Sequence, residues 1–147
     1  MAFTGTIRPL APSDRTAWDG LWTGYLTFYK SSVAPEVTEA TWARLMDPAA
    51  PMFALVAEDA AGVFGLVQCV LHASSWSTQP YCYLGDLFVD PGRRGTGAGR
   101  ALIEAVYAEA DRHGAARVYW NTHETNATAR RLYDQVATRS GFIQYRR

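Results

Sequence analysis

Residues 89–99 decide the fold of this chain, and they read Val89-Asp90-Pro91-Gly92-Arg93-Arg94-Gly95-Thr96-Gly97-Ala98-Gly99. An apolar, strand-like run precedes them and a helical pattern follows, so this stretch is a strand-to-helix turn with four glycines and two arginines. Glycine allows the backbone to approach a ligand closely and to adopt positive φ. The first turn of a helix carries unpaired N–H groups and a partial positive charge, which attract anions. The stretch therefore predicts a binding site for a phosphate-bearing ligand.

Two common phosphate-binding loops do not fit this stretch. A Walker loop requires Lys and then Ser/Thr after its second glycine, and Ala98 and Gly99 stand at those places. A dinucleotide fingerprint requires Gly-x-Gly-x-x-Gly, and Arg100 and Leu102 stand at the third glycine of the two possible frames. A nucleoside triphosphatase and a nucleotide-binding α/β domain are both disfavoured. A glycine-rich turn with solvated arginines is the structural alternative.

Size and charge limit the function classes further. The 147 residues, of which 48% are hydrophobic, predict a single domain over residues 1–147. Fourteen basic and fourteen acidic side chains cancel, which disfavours a nucleic-acid or anionic-membrane partner. No apolar run reaches transmembrane length and the N-terminus lacks a signal-peptide pattern, so we expect a cytoplasmic protein.

Cys69 and Cys82 both fall in apolar runs. Buried thiols in a cytosolic protein fit this pattern better than a disulfide or a metal site. No Cys/His cluster has the spacing of a zinc site, so no metal is expected.

Hydrophobic periodicity predicts the element order β-α-α-β-β-β-α-β-α-β. The predicted strands cover residues 6–10, 52–57, 63–71, 81–89, 117–120 and 141–145. The predicted helices run from Asp14 to about Tyr29, from a cap at Thr38 through Met46, from the glycine-rich turn to a left-handed cap at Gly114, and from Thr125 or Asn126 to about Thr138.

Two motifs in this order resemble the GNAT N-acetyltransferase family. Arg94-x-x-Gly97-x-Gly99 is similar to the family's Arg/Gln-x-x-Gly-x-Gly/Ala pyrophosphate loop. Asn126-x-x-Ala129-x-x-Leu132-Tyr133, followed by Gly141-Phe142, is similar to its C-terminal signature. The resemblance covers nearly the whole chain and implies an α/β (α+β) fold, in which helices flank a mixed, mostly antiparallel sheet.

Within the family, the strand 81–89 and the aromatic first helix resemble the histone, polyamine and D-amino-acid acetyltransferase subgroup. The polyamine enzymes carry Tyr-Leu-Glu-Asp-Phe/Leu-Phe-Val in this strand, whereas Gly85 replaces the glutamate here. That replacement leaves open which amine is accepted and which group is the general base. Seven residues separate Tyr133 from Gly141, more than the family's usual spacing, which predicts that the last helix extends by about one turn.

The resemblance implies acetyl-coenzyme A (acetyl-CoA) as co-substrate. The backbone N–H groups from Arg94 to Gly99 would cradle the pyrophosphate, with the side chain of Arg94 or Arg100 adding charge. Phe88 and Val89 would pair with the pantetheine arm, and the Val89 N–H would polarise the thioester carbonyl. The implied coenzyme contacts are Leu87, Phe88, Val89, Arg94, Gly95, Thr96, Gly97, Ala98, Gly99, Arg100, Asn126, Ala129 and Tyr133.

Acetyl transfer to an amine also requires a general acid and a general base. The motif match assigns the acid to Tyr133, which would protonate the departing thiolate, although a tyrosine on a helix is more often a core residue. Asp86 lies in an otherwise apolar strand, which is unusual for a carboxylate. It would accept the amine proton through water or bind a substrate ammonium; a hydrogen bond to a neighbouring loop is the alternative.

Aromatic side chains of the first helix are candidates for the acceptor site. They recur at helical spacing, so most belong to the core, and the outward ones would hold a cationic amine by cation–π contact. His123 follows the fifth strand, and a solvated side chain is the alternative there. The candidate acceptor residues are Tyr25, Phe28, Tyr29, Asp86 and His123.

The sequence predicts an acetyl-CoA-dependent N-acetyltransferase that acts on a small primary amine, polyamine-like or amino-acid-like. A protein lysine or N-terminal acetyltransferase and a non-catalytic acyl-CoA-binding module are the alternatives. A homodimer is also expected, because the predicted last strand carries Phe142, Ile143 and Tyr145, which one sheet edge would not fully cover.

Overall fold

A mixed sheet of five strands forms the centre of the computed structural model, which describes residues 3–147. In chain order the strands are β1 (Thr6–Pro9), β2 (Met52–Asp59), β3 (Gly62–Ser74), β4 (Ser77–Val89) and β5 (Arg117–Tyr119). The helices are α1 (Arg15–Phe28), α2 (Pro35–Met46), α3 (Ala98–Arg112) and α4 (Ala127–Val136), with short 3-10 turns at Pro12–Asp14 and Pro91–Arg93. The strands lie side by side in chain order; the first four pair antiparallel, and β5 is parallel to β4.

Each face of the sheet buries a separate set of apolar side chains, because successive residues of a strand point to opposite faces. On one face, Leu102, Ile103 and Val106 of α3 are fully buried against strand residues such as Val67 and Cys69. Burial of each such side chain contributes roughly 1.5–3 kcal/mol. This face holds α3, and therefore the glycine-rich turn before it, in a fixed position on the sheet.

Aromatic residues of α1 cover the opposite face. Trp18 is fully buried there, and Trp22 stacks on it with ring centroids 6.1 Å apart. Phe88 of β4 belongs to the same cluster. The start of this helix is held by Arg8, which donates hydrogen bonds to Asp14 at 2.8 Å and to Glu58 at 2.8 Å.

A β-bulge interrupts the pairing of β3 with β4 at Gly85. Gln68 lies opposite Asp86, but the next residue, Cys69, lies opposite Leu84. Gly85 is therefore the extra residue of β4. On the C-terminal side of this bulge, Asp86 and Gln68 form a directly opposed pair on one face of the sheet.

The pairing of β5 with β4 is short and leaves the end of β4 open. It covers three register pairs, from Tyr81 with Arg117 to Tyr83 with Tyr119. Beyond Tyr83, β4 continues to Val89 without β5 beside it. A cleft therefore opens between the two strands on the side of β4 that faces away from β3.

The predicted strand at 141–145 is wrong. Residues 137–147 form no strand in the structure, and the side chains of Phe142 and Tyr145 are 87% and 91% exposed. A strand requires a partner edge, and three paired residues of β5 present a short one. The described part of the chain therefore ends in an extended, exposed segment.

Two other predictions at helix ends are corrected. α4 ends at Val136, and Ala137 is extended with φ −151°, so the extra residues after Tyr133 enter the exposed segment instead of adding a turn. α2 begins at Pro35, before the predicted cap Thr38, because proline suits the first helical position. The Thr38 hydroxyl instead accepts a hydrogen bond from the indole of Trp22 at 3.3 Å. The predicted left-handed cap at Gly114 is confirmed, with φ +70°.

Candidate active site

The glycine-rich turn adopts backbone conformations that require glycine. Gly95 and Gly97 have φ of +78° and +84°, a region that residues with a Cβ rarely enter. The Thr96 hydroxyl donates to the Arg93 carbonyl at 2.6 Å, and the Asp90 carboxylate accepts from the Gly92 N–H at 3.1 Å. These two contacts fix the turn in front of α3.

The first turn of α3 presents free backbone donors. Gly97 is the N-cap of α3 and has no side chain to cap it. The Ala101 N–H donates to the Gly97 carbonyl at 3.0 Å, which begins the intrahelical ladder. The N–H groups of Ala98, Gly99 and Arg100 precede that ladder and have no intrahelical acceptor. With the helix dipole, these N–H groups are suited to an anion.

The two arginines proposed to add charge have other contacts. The Arg94 Nε donates to the Val89 carbonyl at 3.1 Å, and its guanidinium lies 5.2 Å from the Phe28 ring and 5.3 Å from the Phe88 ring. Arg100 donates to Glu104 at 2.9 Å and to Gln135 at 3.2 Å. Phe28 therefore lies against the glycine-rich turn, and its ring also contacts that of Tyr29, another acceptor candidate, with centroids 5.1 Å apart.

The open edge of β4 carries unused backbone groups. The Asp90 N–H donates to the Phe64 carbonyl of β3 at 2.9 Å. Because antiparallel hydrogen bonding alternates along a strand, Phe88 also faces β3, whereas Leu87 and Val89 direct their N–H groups away from it. Those groups point into the cleft between β4 and β5, where an extended ligand can pair with them.

α4 borders the other side of this cleft. Asn126, Ala129 and Tyr133 share one face by their spacing, and a Cβ at Gly99 would lie 3.5 Å from Leu132. The Asn126 carbonyl accepts from the Arg130 N–H at 3.0 Å, and its side chain donates to Thr122 at 3.3 Å. Asn126 thus starts the helix through its backbone without a side-chain cap.

Tyr133 is half-buried beside Trp120, whose ring lies 5.4 Å away in a T-shaped arrangement. Burial raises the pKa of Tyr133, and the neighbouring Tyr29 raises it further. A phenol with a raised pKa keeps its proton at neutral pH, as a general acid must.

Asp86 is half-buried and held by polar partners. It accepts a hydrogen bond from the Gln68 amide nitrogen at 3.0 Å. Burial raises the pKa of Asp86, and hydrogen bonds from Gln68 and Tyr25 offset part of that increase. The Tyr25 hydroxyl lies 3.4 Å from the Gly85 carbonyl. A carboxylate with a raised pKa accepts a proton more readily than an ordinary aspartate.

The predicted acid, base and acceptor residues lie in one neighbourhood. After the effect of burial, the Asp86 charge raises the pKa values of Tyr25 and Tyr29, and Tyr29 in turn raises that of Tyr133. The His123 ring lies 6.0 Å from the Tyr29 ring. Tyr29, which is 38% exposed, also packs against Tyr25, with ring centroids 4.9 Å apart.

The structure adds residues to this site that sequence reasoning missed. Gln68 is 2% exposed and donates to Asp86, and the fully buried Trp18 donates to Gln68. Gln68 is a polar residue in the apolar run 63–71, the same signal that identified Asp86. Trp18 gave no such signal, because tryptophan at helical spacing is ordinary core.

Within residues 3–147, no three His, Cys, Asp or Glu side chains cluster closely enough to hold a metal ion. No helix in the same residues combines the length and apolarity needed to cross a bilayer. Cys69 and Cys82 are buried free thiols in the structure.

Comparison with known proteins gives consistent results. The model of the acetyltransferase (GNAT) family matches residues 17–137. The D-amino-acid N-acetyltransferase HPA3 of Saccharomyces cerevisiae is 36% identical over 143 residues, covering 96% of this chain and 89% of the yeast protein. The uncharacterized N-acetyltransferase YhfO of Bacillus subtilis is 33% identical over 142 residues, covering 95% and 94% of the two chains.

Solved structures share the fold at lower identity. AAC(6')-Iy, in complex with a bisubstrate analog, CoA-S-monomethyl-acetylneamine, superposes with a TM-score of 0.84 at 16% identity, covering 98% of this chain and 97% of that one. This likeness extends over the sheet and its flanking helices and establishes the fold.

Proposed function

The chain belongs to the GNAT family of acetyltransferases and is an acetyl-CoA-dependent N-acetyltransferase, and we propose that it acetylates the primary amine of a small molecule with Asp86 and Tyr133 as its acid–base groups. One observation carries this proposal: the half-buried Asp86 carboxylate, which accepts from Gln68 at 3.0 Å, lies on the stretch of β4 that continues beyond its pairing with β5.

The residues present fit the coenzyme. The free N–H groups of Ala98, Gly99 and Arg100 are suited to a pyrophosphate, and the outward N–H groups of Leu87 and Val89 to the amides of a pantetheine arm. Acetyl-CoA brings the thioester carbonyl, which the Val89 N–H would polarise. Arg94, Gly95, Thr96 and Gly97 would hold the loop in shape.

Asp86 would take the proton that the amine must lose, directly or through one water. A small-molecule amine is mostly an ammonium at neutral pH, and a half-buried carboxylate both attracts it and accepts its proton. The rings of Tyr25 and Tyr29 would add cation–π attraction. The neutral amine then attacks the thioester carbon, forming the C–N bond.

Tyr133 would protonate the leaving sulfur as the C–S bond breaks. Its phenol is protonated at neutral pH, since the pKa of a tyrosine is about 10 and burial raises that of Tyr133 further. Asn126 and Ala129, on the same face of α4, would contact the pantetheine arm beside it. The nitrogen loses two protons between ammonium and amide: Asp86 would take the first and pass it to solvent, and the second, released as the C–N bond forms, balances the proton that Tyr133 gives to the sulfur.

The acceptor is proposed to be amino-acid-like or polyamine-like. The yeast relative at 36% identity is a D-amino-acid N-acetyltransferase, which supports the first class. The Asp86 carboxylate and the neighbouring tyrosines suit any small cationic amine, which supports both. His123, beside Tyr29, would contact the part of the acceptor that lies outside the reacting amine.

A coupled assay of thiol release with polyamines, D- and L-amino acids and basic peptides tests this proposal. Turnover with a small amine supports it, and turnover with the peptides alone points to protein acetylation. Coenzyme binding without turnover of any amine would indicate a non-catalytic module.

Replacement of Gly97 tests the binding loop by thermal unfolding with and without acetyl-CoA. Gly97→Asp should abolish the increase in melting temperature caused by acetyl-CoA, because it puts a carboxylate at the anion site and a Cβ at φ +84°. Gly62→Asp, also at positive φ but at the start of β3, is a matched control. A wild-type increase in Gly97→Asp would show that the pyrophosphate binds elsewhere.

We also propose a cytoplasmic homodimer. The free thiols of Cys69 and Cys82 suit a reducing compartment. The exposed side chains of Phe142, Ile143 and Tyr145 would be covered by a second copy of the chain, because aromatic and apolar groups exposed together favour association.

A further inference from the structure

Gln68 is the one fully buried amide that touches the proposed general base among the described hydrogen bonds. Its side chain is 2% exposed and lies directly across from Asp86 in the pairing of β3 with β4. An amide in an apolar cluster is costly to bury unless its donors and acceptor are satisfied. A hydrophobic residue would fill this core position without that cost, so the amide is best explained by the hydrogen bonds that it makes.

Trp18 fixes which end of the Gln68 amide faces the base. The indole N–H of Trp18 donates to the Gln68 carbonyl oxygen at 2.7 Å. An indole nitrogen can only donate, so the amide oxygen must face Trp18. The amide nitrogen then faces Asp86, to which it donates at 3.0 Å.

This orientation discriminates between the two forms of the carboxyl group. An ionised carboxylate accepts the Gln68 N–H with either oxygen, whereas a protonated carboxyl would seek an acceptor for its own proton. The Gln68 oxygen already accepts from Trp18, so it offers a weaker partner to that proton. The pair therefore favours the ionised form, against the burial that disfavours it.

We infer that Gln68, oriented by Trp18, is a positioning residue that holds the Asp86 carboxylate ionised and aimed into the acceptor cleft, an inference that rests on the proposed role of Asp86. The bulge at Gly85 supports it, because it shifts the register so that Gln68 and Asp86 come into direct opposition. Gln68 acts through Asp86 and does not touch the reacting atoms.

The other titratable groups near Asp86 are phenols, a thiol and an imidazole. Tyr25 and Tyr29 approach from α1, and Cys69 lies on β3 beside Gln68. His123, beyond Tyr29, approaches from the loop after β5. Burial and the Asp86 charge raise the pKa values of both phenols, so they stay neutral where Asp86 titrates.

Direct titration of the Asp86 carboxyl group tests the inference without relying on activity. Its side-chain carbon is followed against pH by NMR, with the signal assigned by its loss in Asp86→Asn. In Gln68→Met the midpoint should move to higher pH, because a donor to the carboxylate is lost. Gln68→Glu keeps the size of the side chain but places a second carboxylate beside Asp86, so the titration midpoint of Asp86 should move to still higher pH. Gln79→Met, the same change at an exposed position of β4, should leave it unchanged.

Kinetics separate this inference from the proposed function. If Asp86 is the base, the acid limb of kcat/KM for the amine should move with the NMR midpoint, by tenfold in rate for each pH unit, while the KM for acetyl-CoA is unchanged. A shifted NMR midpoint with an unshifted limb would support the positioning role and reject Asp86 as base. An unshifted NMR midpoint in both folded Gln68 variants would overturn the inference.

Discussion

Tyr133 and Asp86 reach the same cleft from different elements, so their replacements should have different effects. Tyr133→Phe removes one hydroxyl and leaves the packing against Trp120 in place. We expect kcat to decrease by roughly 10²-fold or more, the scale of a lost general acid, with little change in acetyl-CoA affinity. Steady-state and pre-steady-state kinetics measure both. An unchanged kcat, with chemistry limiting turnover, would remove Tyr133 from the mechanism.

The ionised Asp86 carboxylate should lower the free energy of unfolding at neutral pH. Its pKa is raised by burial in the folded state. Between the unfolded value, about 3.9, and the raised folded value, the unfolded state has lost a proton that the folded state retains. Stability therefore decreases as pH rises through this window and stays lower above it.

Asp86→Asn should remove this cost, and, if Asp86 is the base, activity with it. The variant should melt at a higher temperature than the wild type at pH 7, and the difference should shrink toward pH 4. Thermal unfolding at several pH values measures it. A variant that is less stable at pH 7 would indicate that Asp86 contributes structural hydrogen bonds that asparagine cannot replace. Such an exchange of stability for activity is common at functional sites.

At the scale of the element, α1 approaches β4 through a glycine. A Cβ at Gly24 would lie 2.9 Å from the Phe88 ring, closer than packed atoms tolerate, whereas a Cβ at Gly20 would meet nothing within 4 Å. Both glycines lie inside the same helix, so they form a matched pair.

Alanine at these two positions should have opposite effects. Gly20→Ala should stabilise the protein by roughly 0.5–1 kcal/mol through helix propensity. Gly24→Ala should destabilise it by about 1–3 kcal/mol through overpacking, and weaken acetyl-CoA binding, because Phe88 also packs against Arg94 of the binding loop. Chemical denaturation and calorimetric titration measure the two effects. Equal stabilisation by both variants would contradict the close approach of α1.

The elements that the sequence predicts well are those with a local signal. The glycine-rich turn and the cap at Gly114 could be predicted because positive φ selects glycine at single positions. The hairpin strands could be predicted because their burial alternates or is continuous over many residues. The strand at 141–145 could not, because pairing depends on a distant edge.

In the candidate site too, features with a local sequence signal could be predicted and those that depend on distant residues could not. The anion-binding turn lies in consecutive residues, and Asp86 is marked by its polarity in an apolar strand. The neighbourhood of Tyr29 and Tyr133 is formed by two elements far apart in sequence, which periodicity does not relate. Gln68 meets Asp86 because a bulge sets the register, and register is a property of the sheet.

At the scale of the whole molecule, the exposed C-terminal segment should determine the oligomeric state. Light scattering at micromolar concentration should give a mass of about twice the 16.2 kDa monomer. Phe142→Ser combined with Tyr145→Ser should reduce that mass to the monomer value, since both side chains are almost fully exposed in one copy. Trp76→Ser, which removes an equally exposed aromatic ring from the β3–β4 turn, should not. A monomeric wild type would exclude the dimer.

The chain has two cysteines, and both lie beneath α3 with no exposed surface. A hydrogen bond with Cys82 and burial raise the pKa of the Cys69 thiol, and neither cysteine is accessible to an alkylating reagent in the folded protein. Either thiol can therefore be modified only when α3 separates transiently from β3 and β4, and the rate of modification reports how often this local opening occurs. A coenzyme bound at the first turn of α3 would decrease this rate of thiol modification. Cys69 and Cys82 thus report, without any added probe, how stably α3 packs against the sheet.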